Sequence, residues 1–179
     1  WRRQLASTLN RSLADLGALL HLVDPTLPIG GFNHSNGLET FVQQGVVSTK
    51  VNLEEYVQNQ LLQNWIYNDG AYLSLAFDAM CEGNFDRLCE LDWQLSATKV
   101  ARESREGSFK LGVRLLKIFI RYEQHPMLSQ FQQAIQNKAV QGYFPIVFAM
   151  VAQAMGLSKA DTLYAFYYNA AVGTITNGV

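Results

Sequence analysis

The sequence predicts an all-α fold, a single-domain bundle of about seven to nine helices over residues 1–179. Three observations carry that reading. Apolar residues recur three and four apart along almost the whole chain, the period of a helix with one buried face. No stretch alternates apolar and polar residues for long enough to make a half-buried strand. Capping residues, glycines and prolines punctuate the helical runs at bundle-like intervals. A chain of 179 residues suits one domain with one sizeable core.

The elements follow in order. Leu13, Leu16, Leu19, Leu20 and Val23 share a helical face, and Pro25 stops that helix. A Pro/Gly-rich loop runs from Asp24 to about Asn36. Asn36 is read as the cap of a short helix, with Glu39 reaching back as in a capping box. Leu38, Phe41 and Val42 would form its apolar face, and Gly45 its end. Asn52 and Glu55 repeat the start signal. Leu53, Tyr56, Val57, Leu61, Trp65, Tyr72, Leu75, Ala76 and Met80 keep the helical period through one long helix, or two hinged near Asn68, Asp69 and Gly70. Gly83 and Asn84 close that run, and Phe85, Leu88, Cys89 and Leu95 mark the next helix.

From Lys99 to Tyr122 comes a helix with a stripe of small residues, Ala101, Ser104, Ser108 and Gly112. Such a stripe lets a second helix approach closely, within the domain or across a dimer seam. Arg102, Glu103, Arg105 and Glu106 cover the other side, with Arg102 and Glu106 at ion-pair spacing. Pro126 opens a helix carrying Leu128, Phe131 and Ile135. A turn at Gln141 and Gly142 leads to Pro145. Ile146–Met155 is then apolar on every side, the mark of a buried helix. Ser158 with Asp161 caps the last helix, Lys159 to about Ile175.

Composition narrows the function. Hydrophobic residues make up 49% and charged ones 16%, against about 25% charged in an average domain. A net charge of −1 offers no basic surface for nucleic acid. Cys81 and Cys89, eight apart, fit neither a zinc knuckle nor a disulfide framework; they read as free thiols in a reducing compartment, so a cytoplasmic location is expected. The chain opens at Trp1 rather than Met, and residues 1–12 are expected to be disordered or left over from trimming or cloning. Asp15 and His21 in the first apolar run do not fit a secretory leader. The run Thr162–Val179 carries no charge but holds three tyrosines, two asparagines and three threonines. That polarity argues against a membrane span and for a core helix or one covered by another subunit. Tyr164, Tyr167 and Tyr168 are read as facing different sides, so that at least one reaches a partner.

Motifs of catalysis and metal binding are missing: GxxxxGK[ST], HExxH and CxxC do not occur. His21, His34 and His125 are scattered without an i,i+4 partner, so no metal or cofactor site is expected. The stretch NHSNG at 33–37 approaches a nucleophile elbow, but Asn33 replaces its first glycine and no strand precedes it. Ser35, with His34 as base and Asp24 as orienter, defines a hydrolase alternative. A membrane-associated helical protein is the other alternative, on the uncharged tail.

The stretch LPIGGFNHSNGLE, residues 27–39, resembles the signature L-P-x-G-x-[FY]-x-x-S-x-G-L-E of the UreF family of urease accessory proteins. The likeness continues through SREGSFKLGVRLLK, residues 104–117, and VGTITNGV, residues 172–179. It covers about Leu20 to Val179. The resemblance implies an all-α protein with no chemistry of its own. Such proteins pair with UreD (also called UreH), recruit the GTPase UreG, act as chaperones of nickel insertion into apo-urease, and commonly form homodimers. Asn36 departs from a larger or aromatic residue in many members. Members usually continue past the position of Val179 with a tail that helps bind partners, so part of that surface is expected to be missing.

On this basis two partner-binding surfaces are expected. One is the segment Phe32–Thr40, with Phe32 as apolar anchor, His34 and Glu39 as polar rim, and Ser35, Gly37 and Leu38 between them. In the competing reading Phe32 and Leu38 pack inward and Glu39 only caps. The other surface is the Arg102 and Arg105 face. It is read as a binding surface rather than an arginine finger, since Arg102 has a carboxylate one turn away.

Overall fold

The computed structural model describes residues 13–30 and 37–176. Among them are nine α-helices and no strand: α1 (Leu13–Leu22), α2 (Leu38–Gln43), α3 (Lys50–Asn59), α4 (Asp69–Cys81), α5 (Phe85–Thr98), α6 (Arg102–Phe119), α7 (Pro126–Gln136), α8 (Phe144–Ala154) and α9 (Lys159–Thr176). α3 runs on into a π-helical segment, Gln60–Trp65. The hinge expected near Asn68–Gly70 is therefore a break between two helices. Gly70 follows the break in the first turn of α4, where the Tyr167 side chain and the Trp65 carbonyl leave no room for a Cβ.

α8 is the axis of the bundle. Pro145 to Ala152 are all buried. Its heaviest packing is against α4 and α6, with α9, α5 and α1 on the remaining sides. A helix enclosed all round has no use for a polar face, which is why Pro145 to Ala152 is apolar at every position. Phe144, Phe148 and Phe166 pack as a triad, with ring centroids 5.5, 5.9 and 5.6 Å apart. Each such buried side chain contributes roughly 1.5–3 kcal/mol.

The small-residue stripe of α6 packs inside the domain over its second half. Gly112 lies directly against the Gly142 carbonyl, and the Phe144 N–H donates to Ser108 Oγ at 3.3 Å. Ala101 and Ser104, at the other end, are exposed. A Cβ at Gly112 would run into the Gly142 carbonyl and stand 3.0 Å from both Phe144 N and Tyr143 C. All three are backbone atoms that no rotamer change can move. Gly112→Ala is expected to lower the melting temperature by about 3–10 °C, from an overpacking penalty of about 1–3 kcal/mol, measured by circular dichroism at 222 nm.

The connector into α8 is fastened by one buried side chain. Asp92 on α5 is 1% exposed. Its carboxylate accepts the N–H groups of Gln141 at 2.6 Å, Gly142 at 3.1 Å and Tyr143 at 2.8 Å. Burial pushes this carboxyl above its ordinary range, while the three backbone donors pull it down. Around it, Trp93 Nε1 donates to the Ala139 carbonyl at 2.9 Å, and the Tyr143 hydroxyl to Ser96 Oγ at 3.0 Å.

Helix ends differ from expectation in two places. α3 starts at Lys50, not after Asn52: Thr49 is extended and its Oγ1 accepts the Asn52 N–H at 3.2 Å. Asn52 then accepts the Thr49 hydroxyl at 2.8 Å, so the hydroxyl three residues earlier holds the capping position. α2 has Gly37 at its N-cap, at φ 89° and without a side-chain cap. Glu39 is therefore one residue too close to close a capping box. Asn36 lies outside the described residues. Phe41 and Val42 are exposed rather than inward, Phe41 resting on Tyr56 with ring centroids 5.4 Å apart. Ser158 does cap α9, accepting the Asp161 N–H at 3.1 Å. Tyr164 and Tyr168 stack on one exposed side of α9 while Tyr167 turns inward, so two of the three tyrosines share a face. Among the described residues no helix is long and apolar enough to cross a membrane.

Candidate functional site

The Pro/Gly-rich loop is built from its own residues. Asp24 accepts both the N–H and the hydroxyl of Thr26 at 2.7 Å, which holds its carboxyl below the ordinary range. The Leu27 N–H donates to the Asp24 carbonyl at 3.1 Å, and Leu27 itself is buried. Pro25 and Pro28 remove two further degrees of freedom. The result is a stiff turn with its apolar residue inside.

Both ends of the loop are fixed to the bundle. At the entry, Arg114 of α6 donates to the Ile29 carbonyl at 3.0 Å. Gly30, at φ 77°, lets the chain pass beneath that guanidinium, where a Cβ would collide with it. At the exit Leu38 is fully buried, while Gly37 and Glu39 face outward. Leu38 therefore anchors the segment from inside instead of touching a partner, as the inward reading expected. Phe32, His34 and Ser35 lie outside the described residues.

The charged face of α6 is a network. Arg102 Nε pairs with Glu106 at 2.7 Å and Lys110 with the same carboxylate at 3.3 Å. These two cations hold Glu106 below the ordinary carboxylate range. A depressed folded value means that the network's stabilisation is present above that range and fades as pH falls through the folded value. Arg105 donates to the Lys99 carbonyl at 3.3 Å.

The loop and α6 bound one cleft of about 1170 Å³, closed on the third side by the second half of α9. Gly37 and Glu39 line it from the loop; Glu103, Ser104, Glu106 and Lys110 line it from α6. Leu22, Leu27, Phe144, Pro145 and Phe166 supply apolar surface. Lys99 and Asp69, 2.7 Å apart and largely buried, lie at the edge that α4 and the end of α5 provide. Of the residues expected on the two surfaces, Gly37 and Glu39 line this cleft from the loop, beside Glu103 and Glu106 of α6. Arg102 and Arg105 stand outside the cleft, each with a partner of its own. Sequence reading missed Arg114, Lys110 and the Lys99–Asp69 pair. The only signal for Arg114 was its place in the second family-like stretch, opposite a glycine of the first.

Among the described residues no group of three or more His, Cys, Asp or Glu side chains could hold a metal ion. Cys81 and Cys89 are free thiols. The Asp24 carboxylate accepts from Thr26 through Oδ1; His34 and Ser35, the other members of the hydrolase alternative, lie outside the described residues.

These features define a helical protein with a cleft large enough for a protein segment. Residues 47–179 match the UreF family model. The chain is 89% identical over 175 residues to the urease accessory protein UreF of Haemophilus influenzae strain Rd, covering 98% of this chain and 74% of that protein. It is 78% identical over 167 residues to the UreF of Actinobacillus pleuropneumoniae serotype 5b, covering 93% and 74%. To the UreF of Lachnoclostridium phytofermentans it is 31% identical over 161 residues, covering 90% and 71%. The chain belongs to the UreF family of urease accessory proteins.

Proposed function

We propose that this chain is a non-catalytic scaffold of urease maturation. It joins a UreD/UreH-like accessory protein and a UreG-like GTPase in the cytoplasmic assembly that delivers nickel to apo-urease. The observation that carries the reading is the meeting of two family-like stretches at one cleft: Arg114 of the second grips Ile29 and Gly30 of the first. Loop flanks held against the bundle beside a peptide-sized cleft suit recognition of a protein partner, since those flanks need no ordering on binding. Nickel is assigned to the assembly, and any influence on GTP hydrolysis to docking rather than to Arg102, which Glu106 engages. Exposed apolar side chains outside the cleft support a homodimer: Leu13 and Leu16 on α1, and Tyr164 on α9.

The test is co-purification. A full-length chain mixed with the UreD-like protein and the GTPase is expected to elute with both from a sizing column. Elution of the chain apart from both partners would overturn the scaffold.

A further inference from the structure

The geometry points to a specific occupant of the cleft: a segment of a partner protein that carries arginine or lysine between apolar residues. This rests on the scaffold reading and names the chemistry of its docking partner. The cleft's volume of about 1170 Å³ exceeds the roughly 300–1,000 Å³ typical of small-molecule pockets. Its apolar floor, with Leu22, Leu27, Pro145 and Phe166, offers burial to alternate side chains of an inserted segment.

Charge selects the sign of that segment. Five carboxylates line the cleft, Asp24, Glu39, Asp69, Glu103 and Glu106, against two lysines. Both lysines are already engaged, Lys99 by Asp69 and Lys110 by Glu106. The neighbouring arginines do not line the cleft: Arg102 pairs with Glu106, while Arg105 and Arg114 keep their charge on the carbonyls of Lys99 and Ile29 outside it. Glu39 and Glu103 make no ion pair or hydrogen bond among the described residues. Among the lining residues the charge left over for a visitor is therefore negative, with one unengaged carboxylate on α2 and one on α6. An acidic segment would meet two uncompensated like charges; a basic one completes two ion pairs on the rim.

A fluorescein-labelled twelve-residue peptide of arginines spaced by leucine and alanine, titrated against the full-length chain and read by anisotropy, tests this. The basic peptide is expected to bind, and its counterpart with glutamate in place of arginine not to. Combining Glu39→Gln with Glu103→Gln should weaken the basic peptide roughly five- to tenfold. The pair Glu54→Gln with Glu55→Gln, exposed on α3 away from the cleft, should leave it within about twofold. No binding of the basic peptide, or equal losses from the two pairs, would overturn the proposal. Co-purification of the wild-type chain with the UreD-like protein separates the levels. If it persists while the peptide result fails, the cleft's assigned chemistry falls and the scaffold stands. If it fails while the peptide binds, the reverse holds.

Discussion

Asp92→Ala should be the most destabilising single change in the chain outside the apolar core. Three buried backbone N–H groups, those of Gln141, Gly142 and Tyr143, lose their acceptor at once. An unsatisfied buried donor costs about 1–3 kcal/mol. Part of that is offset, because the substitution also removes a carboxylate that sits buried without a cation. A net loss of about 2–4 kcal/mol is expected, a fall of roughly 5–15 °C in melting temperature for a chain of this size. Asp92→Asn should not rescue it. Both carboxylate oxygens accept N–H groups, so the amide would turn its own N–H donors towards other donors. Differential scanning calorimetry of the two variants checks this. Full stability in Asp92→Ala would mean that the connector into α8 is held by something else.

Arg114→Ala should have the largest effect on partner binding for the smallest effect on folding. Arg114 is exposed, and its one hydrogen bond, to the Ile29 carbonyl, contributes about 0.5–1.5 kcal/mol. The melting temperature should therefore move by no more than about 5 °C. The loop entry, however, loses its tether to α6. Re-ordering it on docking costs about 1–2 kcal/mol per residue fixed. Affinity for the UreD-like partner is expected to fall roughly tenfold or more, measured by calorimetric titration. Lys117→Ala, exposed on the same helix and away from the loop, should leave affinity unchanged. Equal losses from the two variants would mean that overall charge on α6, not the clamp, governs docking.

The fold was legible because helical periodicity is a local signal. The all-round apolar run at Ile146–Met155 required an enclosed helix, and α8 is buried from Pro145 to Ala152. Caps were less legible. At Thr49 and Gly37 the choice among neighbouring capping residues is made by backbone conformation, extended in one case and left-handed in the other. Hence Asn52 and Asn36 looked as suitable as the residues the structure uses. Leu38 illustrates the limit at the site. Its spacing marks it as apolar, but only the packed bundle shows that it faces inward while Glu39 faces out. The clamp from Arg114 to Ile29 and the hold of Asp92 on Gln141–Tyr143 bridge 85 and about 50 residues. No local pattern encodes contacts of that separation. The small-residue stripe was half informative: it marked close approach at Gly112, while exposed Ala101 and Ser104 belong to the cleft wall.

On the proposed function, the loop and α6 form one docking surface on a protein whose role is assembly. Urease activation in cells expressing apo-urease and the accessory set tests it most directly, with Glu39→Arg and Glu103→Arg combined in this chain and Glu54→Arg with Glu55→Arg as the matched control. The cleft variant is predicted to fold with an unchanged melting temperature yet leave urease inactive, while the control activates it. Full urease activity with the cleft charges reversed would contradict the account.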